Sequence, residues 1–318
     1  MQGKCRYAVG EVLDLPDADY RAIDAISQSG VRMFATEGPW VYYCRQVART
    51  HHTPVTRAME LGRAGHRFLE VGCDVDQVFL VEPDVVDDAD LCEKINSELE
   101  SKKSAAARLE MGMTLNNRSK AHKQYRELAM AGVDVGDRVI VPSDKLAQFR
   151  ESVQSLKDNE TCRSILLSGP AQCEASIVRE DAESGVLFKC RADALFADRI
   201  VDYKFTKHRN PSRWKKEARF DGSYFQALYY MQLFKRDKFT WMLISNQSPH
   251  ESFAVTVRRE SLQSDTSATA QFCEHLGRKR SIAEIARDTV ESLVDCYLND
   301  EWHHEQWYGE SDLEDENW

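Results

Sequence analysis

The chain has 318 residues and a net charge of −10; 42% of residues are hydrophobic and 30% charged. That is enough chain to bury one large α/β core, and the acidic balance excludes a protein that is basic all over, though not one with a local cationic stripe for phosphates. The first residues, MQGKCRYAVG, hold no apolar leader-like run and no stretch reaches the length of a membrane span, so a cytoplasmic protein without membrane contact is expected.

The expected organisation is a single domain over 1–318. It has a helical opening region over about 13–70, a catalytic core over about 160–260, and a C-terminal helix with an acidic tail over 282–318. In the opening region a short helix should end before Gly38-Pro39, and a second should carry Trp40, Tyr42 and Tyr43. Residues 56–71 then read as a helix. His66 shares a face there with Met59, Gly62 and Leu69, the setting of a packed core histidine. From Cys73 to Glu100 there are ten Asp or Glu against one Lys, with a candidate strand at Val78–Val81. Residues 88–157 read as mainly helical, broken around 132–137 and 142–143, with Ser143 as the N-cap of the last helix. The nine cysteines lie far apart, with no C-x-x-C pair. Buried small apolar residues fit that pattern better than a disulfide framework or a metal cluster.

Gln172 to Lys204 reads as three strands in succession, separated by turn signals at Asp181–Gly185 and Phe196–Asp198. A first turn centred near residue 183 puts Glu174 across from about 191–193. A second, centred between Ala197 and Asp198, puts Asp193 opposite Asp202, with Lys204 on the face of Asp202. Like charges facing one another in a sheet are destabilising. A divalent cation would relieve Glu174, Asp193 and Asp202 of that repulsion, and carboxylate oxygens suit Mg²⁺ or Mn²⁺. With a lysine alongside, the chemistry suggested is metal-assisted phosphodiester hydrolysis; a solvated surface hairpin is the plainer alternative.

Residues 204–219 follow with seven Lys or Arg against one Glu, either a solvated loop and helix or a phosphate-tracking surface. Next comes a helix, SYFQALYYMQLFK, with Gln226 and Tyr230 on one face. Strands at 239–245 and 252–259 and a helix over about 282–298 complete the pattern. The end, from Glu301, has seven acidic residues and no Lys or Arg.

The ordered set SQSGVRMFATEGPWVYY, LGRAGHRFLE, E-x(18)-D-x(8)-DYK and QALYY, with a tail ending in Trp318, resembles the PD-(D/E)xK nuclease superfamily. Within it, the resemblance is to the RecE-like (exonuclease VIII-type) phage and prophage exonucleases. It implies an α/β restriction-endonuclease-like core, a central mixed sheet flanked by helices, with a helical N-terminal region. It implies Asp193, Asp202, the Tyr203 carbonyl and His66 as metal ligands and Lys204 as the catalytic lysine. Glu174 would be an accessory acid, with Gln226 and Tyr230 as the QxxxY pair. Lys207, Arg209, Arg213, Lys215, Lys216 and Arg219 become the candidate DNA-binding residues. The implied activity is Mg²⁺-dependent exonucleolysis of linear double-stranded DNA, 5′→3′, in phage-type recombination, with Mn²⁺ as a substitute ion. A ring-shaped homo-oligomer and a single-strand annealing partner are also implied. Ala192 replaces the usual Pro before the first Asp, and Phe205-Thr206 replaces the usual Thr-Thr after the lysine. The rival readings are a DNA endonuclease or RecB-like module, and a non-catalytic DNA-binding protein of the same fold. No Walker A motif is present for a motor in the same chain.

Overall fold

The computed structural model of the protein describes residues 7–51, 62, 65–66, 78–81, 133–136, 138–141, 143–169, 171–218, 222–264 and 281–303. The chain forms two compact units: one from residues 1–55 and 155–318, the other from 56–154.

The first unit is built on a mixed sheet. Its strands are β1 (Val12–Asp14), β2 (Ile26–Ser27), β5 (Gln172–Glu180), β6 (Leu187–Leu195), β7 (Ile200–Thr206), β8 (Lys238–Ser245) and β9 (Ser252–Arg258). The order is β1-β5-β6-β7-β8-β9, with β2 pairing β6. Three hairpins, β5–β6, β6–β7 and β8–β9, and one crossover from β7 to β8 build its main run. The β5–β6 turn is set by Asp181: its carboxylate accepts from the Ser184 amide and hydroxyl at 2.9 and 2.6 Å, and Gly185 takes φ +70°. The second turn closes through Phe196 N–H to Arg199 O at 2.9 Å. Strand β7 runs parallel to β8 over its whole length, Ile200 opposite Phe239 to Thr206 opposite Ser245. A parallel pair requires a crossover, and α6 (Pro211–Ala218) and α7 (Ser223–Phe234) provide it.

Helix α7 is apolar nearly all round, the pattern of a buried helix. Tyr224, Phe225, Ala227, Tyr229, Met231 and Phe234 are all buried. Trp241 of β8 is fully buried beneath the crossover, its ring 5.0 Å from Trp214 of α6 and 5.6 Å from Tyr224 of α7. The face carrying Trp241 also carries its β7 register partner, Asp202. The crossover helices thus cover the face that holds the acids.

Around the sheet stand α1 (Asp17–Ala22), α2 (Gln28–Glu37), α3 (Pro39–Tyr42) with a π turn at Tyr43–Val47, α5 (Glu160–Leu166), α8 (Arg259–Ser264) and α9 (Ile282–Asn299). The second unit contains the parallel pair β3 (Phe79–Val81) and β4 (Val139–Val141), with a small core of Val78, Phe79, Val141 and Leu146. Helix α4 (Ser143–Asp158) follows.

The strands over 172–206, α7, β8, β9 and α9 fall where the sequence places them. Three expectations need correction. The opening region is not purely helical, since β1 and β2 join the sheet. The span read as mainly helical up to 157 contains β4. Ser143 is the first residue of α4, not its cap. The expected helix over 56–71 lies outside the described residues, except that positions 62, 65 and 66 are helical.

Candidate active site

The site forms where β6 and β7 part. Their ladder consists of Leu195 opposite Ile200 and Ala194 opposite Val201. The next pair in that register is Asp193 and Asp202. There the main-chain bonding ends, because the Asp193 carboxylate accepts from Tyr203 N–H at 2.7 Å. A side chain takes the place of the neighbouring strand's backbone, so the strands diverge and leave the two acids at the mouth of the gap. Further along β6, Phe188 and Lys189 pair with Ile26 and Ser27 of β2 on the side that β7 has left.

Asp202 is 6% exposed. Its Oδ1 accepts from Gln226 Nε2 at 2.8 Å, and its Oδ2 lies 3.2 Å from Lys204 Nζ. Lys204 in turn donates to Gln226 Oε1 at 3.0 Å. The three side chains close a ring in which the amide gives its N–H to the carboxylate and its carbonyl to the ammonium. Two unlike charges on either side fix which way the amide points. Gln226 projects from the first turn of α7, and Tyr230 lies one turn on. Tyr230 is half-buried, and burial, together with Tyr20, Cys190, Asp202 and Asp193 nearby, holds its hydroxyl well above the usual tyrosine range. It therefore remains a neutral hydrogen-bond donor over the working range of pH.

Glu174 stands in register opposite Asp193, between the pairs Cys173–Ala194 and Ala175–Ala192. Its backbone turns to φ +48° and its carboxylate meets Arg191 Nη1 at 3.2 Å. Among the described residues no group of three or more His, Cys, Asp or Glu side chains gathers at metal-binding distance. The expected trio of acids is thus adjacent in register, with Glu174 turned to an arginine. The hairpin spacing placed Arg191 across from Glu174 but assigned it no role, because it belongs to no motif. The signal was the period of two that puts it on the face of Asp193. His66 is a half-buried helical residue of the second unit.

The donors at hand, two carboxylates and the main-chain carbonyl of Tyr203, are hard oxygens of the kind that Mg²⁺ and Mn²⁺ prefer. Of the basic stripe, Lys207 pairs with Glu217 at 3.3 Å, and His208 Nε2 meets the same carboxylate at 2.5 Å. The His208 hydrogen bond first, and then Lys207, hold Glu217 below its usual range. Arg209 donates to the Ser248 carbonyl. Arg213, Lys215 and Lys216 are exposed on α6, whose Trp214 and Ala218 point into the core. Arg219 lies outside the described residues. No disulfide joins the described cysteines 44, 162, 173, 190 and 296, all of them buried or half-buried.

A mixed sheet with Asp193, Asp202 and Lys204 on a splayed strand pair, covered by a helix bearing Gln226 and Tyr230, defines a PD-(D/E)xK-type core. The chain belongs to the family described as the PDDEXK-like domain of unknown function (DUF3799), whose model matches residues 44–287. Among solved structures, it is similar to a protein from Eubacterium rectale described as an exonuclease: 14% identity, TM-score 0.47, covering 92% of this chain and 95% of that one. A phage-related exonuclease from Haemophilus somnus 129PT is 10% identical with a TM-score of 0.32, covering 87% and 96%. An alkaline exonuclease from Laribacter hongkongensis is 11% identical with a TM-score of 0.28, covering 58% and 87%. No curated protein sequence matches the chain.

Proposed function

We propose that the protein is a divalent-cation-dependent deoxyribonuclease acting on the ends of linear double-stranded DNA. The single observation that carries this reading is the closed ring of Asp202, Gln226 and Lys204 beside Asp193. A buried acid held in place next to a lysine whose side chain is 31% exposed is an arrangement for meeting a phosphate, not for stabilising a surface. Asp193, Asp202 and the Tyr203 carbonyl would hold Mg²⁺, or Mn²⁺ in its place. The ion would supply a Lewis acid for the phosphate and a more acidic water. Lys204 orients the attacking water and steadies negative charge gathering on the phosphate. Gln226 keeps that ammonium from collapsing fully onto Asp202. Tyr230, with both carboxylates near, keeps its hydroxyl protonated. Exposed Arg213, Lys215 and Lys216 would contact the backbone of the bound strand.

Within this reading the enzyme degrades one strand 5′→3′, works as a ring-shaped oligomer, and hands the surviving strand to a single-strand annealing protein in recombination. The test uses purified protein, Mg²⁺, and end-labelled linear or covalently closed DNA. Nucleotides released from the linear form alone, and none in the presence of a chelator, are expected. Nicks in the closed circle would replace this reading by an endonuclease. Inertness on both, with DNA still bound, would replace it by a non-catalytic DNA-binding role.

A further inference from the structure

Arg191 occupies an unusual position: one nitrogen of its guanidinium serves two carboxylates. Nη1 lies 3.2 Å from Glu174 Oε2 and 3.3 Å from Asp17 Oδ1. The rest of the group is held independently. Nε donates to Ser176 Oγ at 2.9 Å, Nη2 to the carbonyls of Leu15 and Pro16 at 2.8 and 3.3 Å, and the guanidinium carbon lies 4.3 Å from the Tyr20 ring centre. The arginine side chain is 10% exposed, whereas Glu174 is 35% and Asp17 60% exposed. Arg191 is therefore fixed, and Asp17 is also held through Oδ2 by Arg21 Nε at 2.6 Å, so Glu174 is the acid that can move.

Glu174 is also the one residue of β5 in the left-handed backbone region, which a non-glycine residue adopts at a cost of roughly 1–2 kcal/mol. Such strain persists where the surroundings impose it. Here it accompanies a carboxylate that meets Arg191. If Glu174 left, Asp17 would still neutralise the guanidinium, so no buried charge would be stranded.

We infer that Arg191 is a positioning residue: shared between Glu174 and Asp17, it parks the Glu174 carboxylate beside the site and releases it, onto Asp17's keeping, when a cation is held by Asp193 and Asp202. The inference rests on the cation-dependent reading above. It adds Asp17, an exposed residue of α1 remote in sequence, as the group that makes the accessory acid available.

The test is isothermal titration of the full chain with Mn²⁺ alone, for the wild type, Asp17→Asn, Glu174→Gln, the double variant and Asp202→Asn. Losing Asp17 leaves Glu174 as the only counter-charge on Arg191 among the described residues, so Mn²⁺ affinity should fall about 1.5- to 5-fold, the worth of one exposed ion pair. Glu174→Gln should also weaken binding, and Asp17→Asn should have no further effect in that background. An unchanged affinity in Asp17→Asn or in Glu174→Gln would overturn the inference. So would an Asp17→Asn loss that persists when Glu174 is already Gln. Asp202→Asn separates the two failures: lost binding there with Asp17→Asn silent sinks the parking device alone, while unaltered binding there sinks the cation site and the device with it.

Discussion

An acid and an ammonium 3.2 Å apart in a half-buried site can be arranged in many ways, and Gln226 selects one by bonding to both. Removing it leaves a buried carboxylate oxygen and a lysine without their shared partner, at a cost of about 1–3 kcal/mol. Gln226→Ala should therefore lower the melting temperature by a few degrees and, by loosening the Asp202–Lys204 pair, the cleavage rate by roughly ten- to a hundredfold, while DNA affinity stays near wild type. Single-turnover cleavage alongside a binding titration checks this. Lys204→Ala should abolish hydrolysis with DNA binding retained, and residual cleavage at the wild-type rate would remove the lysine from the mechanism. Asp193, Asp202 and Lys204 were legible in the sequence because two clear turn signals fixed their register. The orientation of Glu174 was not. Spacing places its Cα, but the choice between a neighbouring acid and a neighbouring arginine is made by electrostatics and one reversed φ angle.

At the scale of elements, α1 is held on the sheet by Lys189 as well as by Arg191. The Lys189 ammonium donates to the carbonyls of Tyr20, Arg21 and Ile23 at 3.1, 3.4 and 2.6 Å, capping the end of the helix, where positive charge is favoured. The lysine is 7% exposed. Burial first, then Arg49 nearby, lower its pKa from 10.5 to about 8. In the window between those two values the unfolded chain binds a proton that the folded chain has released, so stability rises with pH, by up to about 1.4 kcal/mol per pH unit. Below the lower value the folded state carries the charge at a cost. Urea titrations at several pH values across that window should show this rise, and Lys189→Met should flatten it. Helix α6 offers a second prediction. Reversing Arg213, Lys215 and Lys216 to Glu should weaken DNA binding and make the salt dependence shallower, by about 0.9 in slope for each phosphate the protein ceases to neutralise. An unaltered salt slope would show that DNA passes elsewhere. The basic character of α6 was plain from composition. The division of the stripe was not: Lys207 and Arg209 are already engaged within the fold, while Arg213, Lys215 and Lys216 are displayed.

For the molecule as a whole, the long strands and helices were legible because periodicity and turn chemistry agree over many residues. Strands β1 and β2, three and two residues long, are too short to show any period, and only pairing with β5 and β6 makes them strands. Early and late segments of the first unit meet in an aromatic cluster. Trp302 lies 5.8 Å from Tyr42, 5.3 Å from Tyr43 and 5.0 Å from Tyr297, and the hydroxyls of Tyr42 and Tyr297 are 3.0 Å apart. Trp302→Ala should cost about 3–5 kcal/mol, read as an earlier midpoint in thermal unfolding. Trp302 stands in an acidic stretch of the sequence, and a large aromatic ring among those charges is the signal there that the segment packs.

The splayed strand pair has a consequence for how the protein comes together. Its open flank is filled by Ile26 and Ser27, and Lys189 reaches Ile23 across a sequence separation of 166 residues. Contacts of such range form slowly and late. The first helices of the chain therefore settle only once β6 is present to receive them, so this face of the fold closes as a joint product of segments far apart in sequence.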